Sequence, residues 1–257
     1  MSARHQLSSC IEWQFTEAGD LDARLRAAKA AGFELAEFHL WRDKPVDALS
    51  QALVETGMQL TGVCVDPRRS IVDPAERDEM VAAVRDTIAA TAKLGKPGLI
   101  VASGFRVEGM SEDEHFANAV AALRAAADLA EEAGVMLLLE PLNTRLFATM
   151  YLVSTTLGLD LVEAVGSPNL RLLYDVWHSA VMGEDMAGVL AGRIHLVAHV
   201  QVADMDERNE PGTGSLDWTK VMRTLDDLGY AGAIGLEYFP TRPMDQSLAL
   251  TRQTLGC

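Results

Sequence analysis

The sequence predicts an α/β fold, a (β/α)8 TIM barrel, on three observations. Short apolar runs alternate with longer segments of helical period, eight times over. A glycine stands at or just past the end of each helical segment, where a left-handed residue closes a helix. The length, 257 residues, suits one barrel of about 250 residues. No Pro/Gly/Ser linker or change of composition divides the chain, so residues 1–257 are expected to form a single domain. The competing architecture, a doubly wound sheet, wants a Gly-rich phosphate loop after the first strand, and Cys10-Ile11-Glu12-Trp13-Gln14 has none.

In chain order, the first strand is expected at 7–13 and a helix at 20–31, stopped at Gly32. Strand two covers 33–40, with a helix at 45–56 and Gly57 as its C-cap. Strand three is 59–65, followed by a long helix at 74–93 that ends by Gly95. Strand four is 97–102. Ser111 with Glu114 three residues on forms a capping box that opens a helix running to Ala133. Strand five is 135–141 with its helix at 154–165, and strand six is 170–175 with its helix at 182–191. Strand seven is 194–202, the next helix 217–228, strand eight 231–238, and the last helix 243–255.

Composition narrows the partners. A formal net charge of −15 leaves little surplus Lys/Arg to displace counterions from a phosphate backbone, and the longest basic run is Arg68-Arg69. Nucleic acid is therefore excluded as a partner. Cys10, Cys64 and Cys257 have no metal-ligand spacing and read as incidental thiols in a reducing compartment. Residues 1–6 lack the basic-then-apolar shape of a signal peptide, and no apolar run approaches the length needed to span a bilayer. The expectation is a cytoplasmic protein with a small-molecule substrate and no membrane partner; a homo-oligomer stays open.

Four oxygen-bearing side chains stand at the ends of four apolar runs. They are Glu140 in Leu138-Leu139-Glu140, Asp175 in Leu173-Tyr174-Asp175, Gln201 in His199-Val200-Gln201 and Glu237 in Gly235-Leu236-Glu237. One polar residue at each of several strand ends is how a barrel builds a site at its C-terminal face. All-oxygen donors suit one hard divalent cation, magnesium or manganese ahead of zinc or cobalt. A cation on a carbonyl and an adjacent hydroxyl acidifies the C–H between them. Glu140 and Glu237, arriving from different strands, can then remove a proton from one carbon and return it to the next. The alternative is that all four are ligands and nothing more.

Strand period places His199 on the same face as Gln201, as a pocket neighbour or as a hydrogen-bonded core histidine. His178, three residues past Asp175, can reach a substrate oxygen. Arg208, in the polar loop after strand seven, is a fork for a carboxylate or an enediolate oxygen, with Glu210 as its candidate partner. Trp13, Phe38, His39 and Trp41 end the first two strands and are candidates to wall the pocket.

At these residues the sequence resembles the hydroxypyruvate isomerase family within the xylose-isomerase-like sugar isomerase/epimerase barrels. The resemblance runs through Glu140-Pro141-Leu142-Asn143, Tyr174-Asp175-Val176-Trp177-His178, His199-Val200-Gln201 and Arg208-Asn209-Glu210-Pro211-Gly212-Thr213-Gly214. It continues through Gly229-Tyr230-Ala231-Gly232 and Gly235-Leu236-Glu237-Tyr238, covering the second half closely and the first half in pattern alone. It implies Glu140, Asp175, Gln201 and Glu237 as metal ligands and Glu140 and Glu237 as the acid/base pair. It also implies that His178 and Arg208 contact substrate. The departure is the segment Arg145-Leu146-Phe147-Ala148-Thr149-Met150, apolar where family members carry a polar Pro-Gly turn. The implied activity is interconversion of a small hydroxy-carbonyl acid such as hydroxypyruvate. An epimerase or isomerase of a longer ketose or four-carbon oxo acid, and a non-catalytic metal-binding subunit, remain as alternatives.

Overall fold

In a computed structural model, eight parallel strands close in sequence order, β1 through β8, with β8 paired back to β1. The structure describes residues 5–102 and 104–257. The strands are β1 Leu7–Cys10, β2 Leu35–Phe38, β3 Gln59–Cys64, β4 Gly98–Ala102, β5 Leu137–Glu140, β6 Leu170–Asp175, β7 Val197–Gln201 and β8 Ile234–Leu236. Strand six has the expected bounds, and the other strands are shorter than expected at one or both ends, because apolar residues continue into turns that leave the barrel. After β1, for example, Trp13 and Gln14 donate their N–H groups back to the Cys10 carbonyl, so Trp13 lies on a turn over the mouth.

The helices form the outer ring: α1 Leu21–Ala30, α2 Val46–Thr56, α3 Arg77–Thr91, α4 Glu112–Ala133, α5 Thr155–Val165, α6 Val176–Val181, α7 Met186–Leu190, α8 Trp218–Leu228 and α9 Met244–Leu255. The longer helices bury one stripe each. On α1 it is Leu21, Leu25 and Ala28, spaced four and three apart so that they share a face. Fully burying a Leu contributes about 1.5–3 kcal/mol, which is why these stripes hold the ring on the barrel. The capping box of Ser111 and Glu114 opens α4 as the sequence predicts.

One expectation is corrected. The single helix at 182–191 is replaced by α6 and α7. Asp175 accepts hydrogen bonds from the Trp177 and His178 N–H groups, so a helix starts directly off β6. Gly183, at φ 71°, stops that helix, and Asp185 caps α7 through the Gly188 N–H. Residues 194–196 form a 3-10 turn rather than the start of β7.

Strand alternation divides the barrel interior into two kinds of lining. Cys64, Ile100, Leu138 and Leu173 pack as one apolar cluster inside strands β3 to β6. Across from them, β1 contributes Ser8, β2 Glu37 and β7 His199 and Gln201, all buried. A Cβ at Gly235 would stand 2.5 Å from Glu37 Oε1, so glycine on β8 is what admits that carboxylate. Among the described residues, no helix is long and apolar enough to cross a membrane.

Candidate active site

Each strand-end donor stands two residues beyond an interior residue of its own strand or chain segment: Glu140 beyond Leu138, Asp175 beyond Leu173, Gln201 beyond His199, Glu237 beyond Gly235. A period of two keeps them on the inner face, so all four rise from the barrel lining at its C-terminal mouth. All four are buried.

A continuous series of contacts runs across the mouth. Glu140 Oε1 lies 3.9 Å from His178 Nε2, which lies 3.6 Å from Asp175 Oδ2. Arg208 Nη2 donates to Asp175 Oδ2 at 3.0 Å and to Glu237 Oε2 at 2.5 Å. His39 Nε2 meets the other oxygen of Glu237 at 2.9 Å. One side-chain nitrogen or oxygen from each of Glu140, Asp175 and His178 could serve a metal ion, and these atoms all lie within 4.8 Å of one another.

Arg208 is held from three directions. Its guanidinium is sandwiched between the Trp13 ring, 5.0 Å away, and the Trp177 ring, 4.7 Å away. Its own backbone is left-handed, at φ 60°, a conformation costing about 1–2 kcal/mol in a residue with a side chain. The surroundings impose it: the Phe239 N–H donates to the Arg208 carbonyl at 2.9 Å, and the Asp204 N–H to the Asn209 carbonyl at 2.8 Å. Asp204 organises the loop, accepting from the N–H groups of Met205, Gly212 and Leu216 and from Trp218 Nε1.

The Gln201 amide has a fixed orientation. Its Nε2 donates to Glu37 Oε1 at 2.8 Å, which fixes the amide so that Oε1 points the other way. That oxygen is buried and has no hydrogen-bond partner among the described residues. An unpaired buried acceptor costs about 1–3 kcal/mol unless something electropositive meets it. Three carboxylates and one orphaned amide oxygen are a donor set that fits a hard divalent cation.

Electrostatics say the same. Burial, reinforced by the charges of Glu237 and Asp175, pushes the Glu140 carboxyl well above the carboxylate range. Burial likewise lifts Asp175 to about 7, with Arg208 opposing and Glu237 adding to the rise. Burial works against ionisation of Glu237 too, but Arg208 and His39 override it and hold that group at about 2. His178 is brought down to about 3, first by burial and then by Arg208. So many carboxylates in a dry mouth resist losing all their protons until a cation joins them.

Several expected placements change. His199 is the hydrogen-bonded core histidine: its Nε2 lies 2.7 Å from Glu37 Oε2, one layer beneath Gln201, so it reaches the mouth through Glu37 and does not line the pocket. Glu210 pairs not with Arg208 but with Arg242, at 2.8 Å, and with Thr241. Phe38 packs outward into the helical ring, and Trp41 donates to Thr87 on α3, so neither walls the pocket. Trp13 and His39 do face it, Trp13 stacking on Phe239 at 4.1 Å. The apolar segment after Asn143 pairs with the loop after β4, through the Phe105–Met150 bridge and a Phe105–Phe147 ring contact.

Three residues escaped the sequence reading. Glu37 is an acid inside an apolar strand, a signal that period-two reading of Leu35-Ala36-Glu37-Phe38 could have raised. Asn143 touches His178, which nothing in its loop position announces. Arg68 lines a cavity of about 20 Å³ together with Cys64, Ile100, Ala102 and Glu140. Burial pushes the Cys64 thiol up to about 12 despite Arg68 nearby, so it is no nucleophile.

Residues 25–254 match the family described as xylose isomerase-like TIM barrel. A Streptomyces coelicolor protein provisionally named a hydroxypyruvate isomerase is 36% identical over 245 residues, 88% of each chain. The Escherichia coli hydroxypyruvate isomerase is 27% identical, over 89% of this chain and 92% of its own. Among solved structures, one titled AP endonuclease, family 2, from Brucella melitensis superposes with a TM-score of 0.88 at 25% identity, covering 95% of this chain and 97% of that one. A D-psicose 3-epimerase from Clostridium cellulolyticum H10 shares the fold at a TM-score of 0.79 and 20% identity, covering 98% of this chain and 100% of that one. With a closed eight-stranded barrel, a carboxylate-lined mouth and these relatives, the chain belongs to the xylose isomerase-like TIM-barrel family and is a hydroxypyruvate isomerase-like isomerase.

Proposed function

We propose that the protein interconverts a small 2-oxo acid and its hydroxy-aldehyde isomer, with hydroxypyruvate and tartronate semialdehyde as the pair to test first, by proton transfer through an enediolate. The observation that carries this reading is the series Glu140, His178, Asp175, Arg208, Glu237 across one buried mouth. Glu140, Asp175, Glu237 and the orphaned Gln201 oxygen would hold one divalent ion, magnesium or manganese by donor chemistry. Such an ion, when bound, polarises a carbonyl and the neighbouring hydroxyl.

The chain's own groups do the rest. One of Glu140 and Glu237 takes the proton from the carbinol carbon, and the other delivers a proton to the former carbonyl carbon. The hydroxyl proton moves to the old carbonyl oxygen, so atoms and charge balance. Their opposite electrostatic settings, Glu140 raised and Glu237 lowered, suit a pair with one acid and one base. His178 is placed to hold a substrate oxygen. Arg208 and, at the rim, Arg68 supply the cations that a carboxylate substrate needs on a chain of net charge −15. That same charge disfavours a phosphodiester substrate.

The 2-oxo-tetronate isomerase of Cupriavidus necator, 34% identical over 131 residues and about half of each chain, makes the four-carbon acid the second substrate to test. The experiment is turnover in D2O followed by NMR, with the metal-stripped enzyme as control. Deuterium should appear on the carbon that gains hydrogen, and activity should vanish on stripping and return with Mg2+ or Mn2+. Full retention of protium there, at normal turnover, would point to hydride transfer and remove Glu140 and Glu237 from these roles.

A further inference from the structure

His178 Nε2 lies within 4 Å of both Glu140 and Asp175, and such a ring nitrogen can be either a metal ligand or a hydrogen-bond donor. Which one it is depends on the tautomer, and the tautomer depends on what the other nitrogen meets. Here Nδ1 meets the side-chain amide of Asn143, at 2.9 Å, and both residues are buried. The Asn143 amide is not free to turn. Its Oδ1 accepts the Leu146 N–H at 2.9 Å, at the start of the apolar segment that follows β5. The amide nitrogen therefore faces His178, and an NH2 group can only donate. Nδ1 must offer its lone pair, which leaves the hydrogen on Nε2.

That hydrogen points where chemistry would occur. Nε2 is 3.6 Å from Asp175 Oδ2 and 3.9 Å from Glu140 Oε1. A protonated Nε2 has no lone pair for a cation, so proximity to the two carboxylates does not make the ring a ligand. We propose that Asn143 is a positioning residue that locks His178 as the Nε2–H tautomer, so that the ring donates a hydrogen bond to substrate and stays out of the metal's coordination sphere. The proposal deepens the site reading above, since the donor role presupposes a substrate there. The tautomer itself is independent of any substrate.

The near-isosteric change Asn143→Asp keeps an acceptor for the Leu146 N–H but replaces the donor facing Nδ1 with an acceptor. The ring should then invert, placing its hydrogen on Nδ1 and its lone pair among the carboxylates.

Nitrogen-15 NMR of histidine-labelled, metal-free protein tests this directly, with His178→Gln assigning the signal among the chain's six histidines. The wild type should show Nε2 protonated and Nδ1 bare, and Asn143→Asp should exchange the two. The variant should also bind Zn2+ about 10-fold or more tightly, through the added ligand, and lose about 10²-fold in kcat with a smaller change in KM, as removal of one aimed donor does. Asn143→Ala provides a second route, a mixed tautomer population. A wild-type spectrum with the hydrogen on Nδ1 overturns the proposal outright. So does an Asn143→Asp protein that folds and keeps Nε2–H with Nδ1 bare. If the tautomer is as stated but no 2-oxo acid turns over, the substrate reading fails and the positioning role survives.

Discussion

The two halves of the barrel interior are built on different chemistry. Under β3 to β6 the lining is Cys64, Ile100, Leu138 and Leu173, held by packing alone. Under β1, β2 and β7, joined by Thr61 of β3, it is a hydrogen-bonded set: Glu37 takes His199 Nε2 at 2.7 Å, Gln201 Nε2 at 2.8 Å and Thr61 Oγ1 at 3.0 Å, with Ser8 on Thr61 at 2.7 Å. The apolar half only has to fill space. The polar half also aims a side chain, because pinning one end of the Gln201 amide decides where its oxygen points. The carboxylates above the halves differ accordingly. Glu140, over Leu138, is pushed up by burial and by the charges of Glu237 and Asp175, with Arg208 and Arg68 opposing, whereas Glu237, beside Arg208 and His39, is held at about 2.

The largest expected effect comes from abolishing that contrast at the mouth. Glu140→Gln and Glu237→Gln should each lower turnover by about 10²–10⁴-fold while the fold survives, since an amide keeps an oxygen donor but carries no proton. Steady-state kinetics with circular dichroism checks this, and near-normal activity in either variant would mean the two carboxylates are ligands only.

The next test separates the halves below. Leu138→Ala should cost about 2–5 kcal/mol of stability and leave metal affinity unchanged, because it opens a cavity without touching the polar set. Glu37→Leu should leave two buried donors, His199 Nε2 and Gln201 Nε2, without their acceptor, at about 1–3 kcal/mol each. It should also free the Gln201 amide and weaken metal binding by about 10–100-fold. Denaturant titrations and calorimetric metal titrations of both variants decide it. Equal loss of metal affinity in the two would erase the distinction.

A smaller effect concerns pH. Asp175 is raised from its ordinary 3.8 to about 7, so between those values the folded chain binds more protons than the unfolded one. Stability from this group is full below about pH 4 and is lost as pH rises through 7. Glu237, lowered from 4.5 to about 2, acts in the opposite sense and loses its contribution only as pH falls toward 2. Melting of the metal-free protein should therefore weaken from pH 5 to pH 8, and Asp175→Asn should flatten that slope. Added Mn2+ should raise the melting temperature more at pH 8 than at pH 5, where protons compete for the same oxygens. A pH-independent gain would show that the ion binds elsewhere.

Much of this was written locally. A period of two places Glu140, Asp175, Gln201 and Glu237 on one face at their strand ends, and a period near 3.6 with glycine stops yields the helices between. The Ser111 capping box needs only four consecutive residues, and it is present. Such features are legible because the interacting groups are neighbours along the chain. One local reading was incomplete because a single residue has two local roles: Asp175 is both a strand-end donor and a helix cap, and its second role starts α6 six residues earlier than the hydrophobic period indicates.

What the sequence by itself determined, then, is the order of elements and which donors reach the mouth. Only the tertiary structure decided who meets whom. Glu37 takes His199 across 162 positions of sequence, and Glu237 takes His39 across 198. Glu210 goes to Arg242, leaving Arg208 to Asp175 and Glu237 between two tryptophans. The reason is closure: when β8 pairs with β1, the ends of the chain become neighbours, and the partners of a buried charge are set by distance through the barrel, which no local pattern encodes.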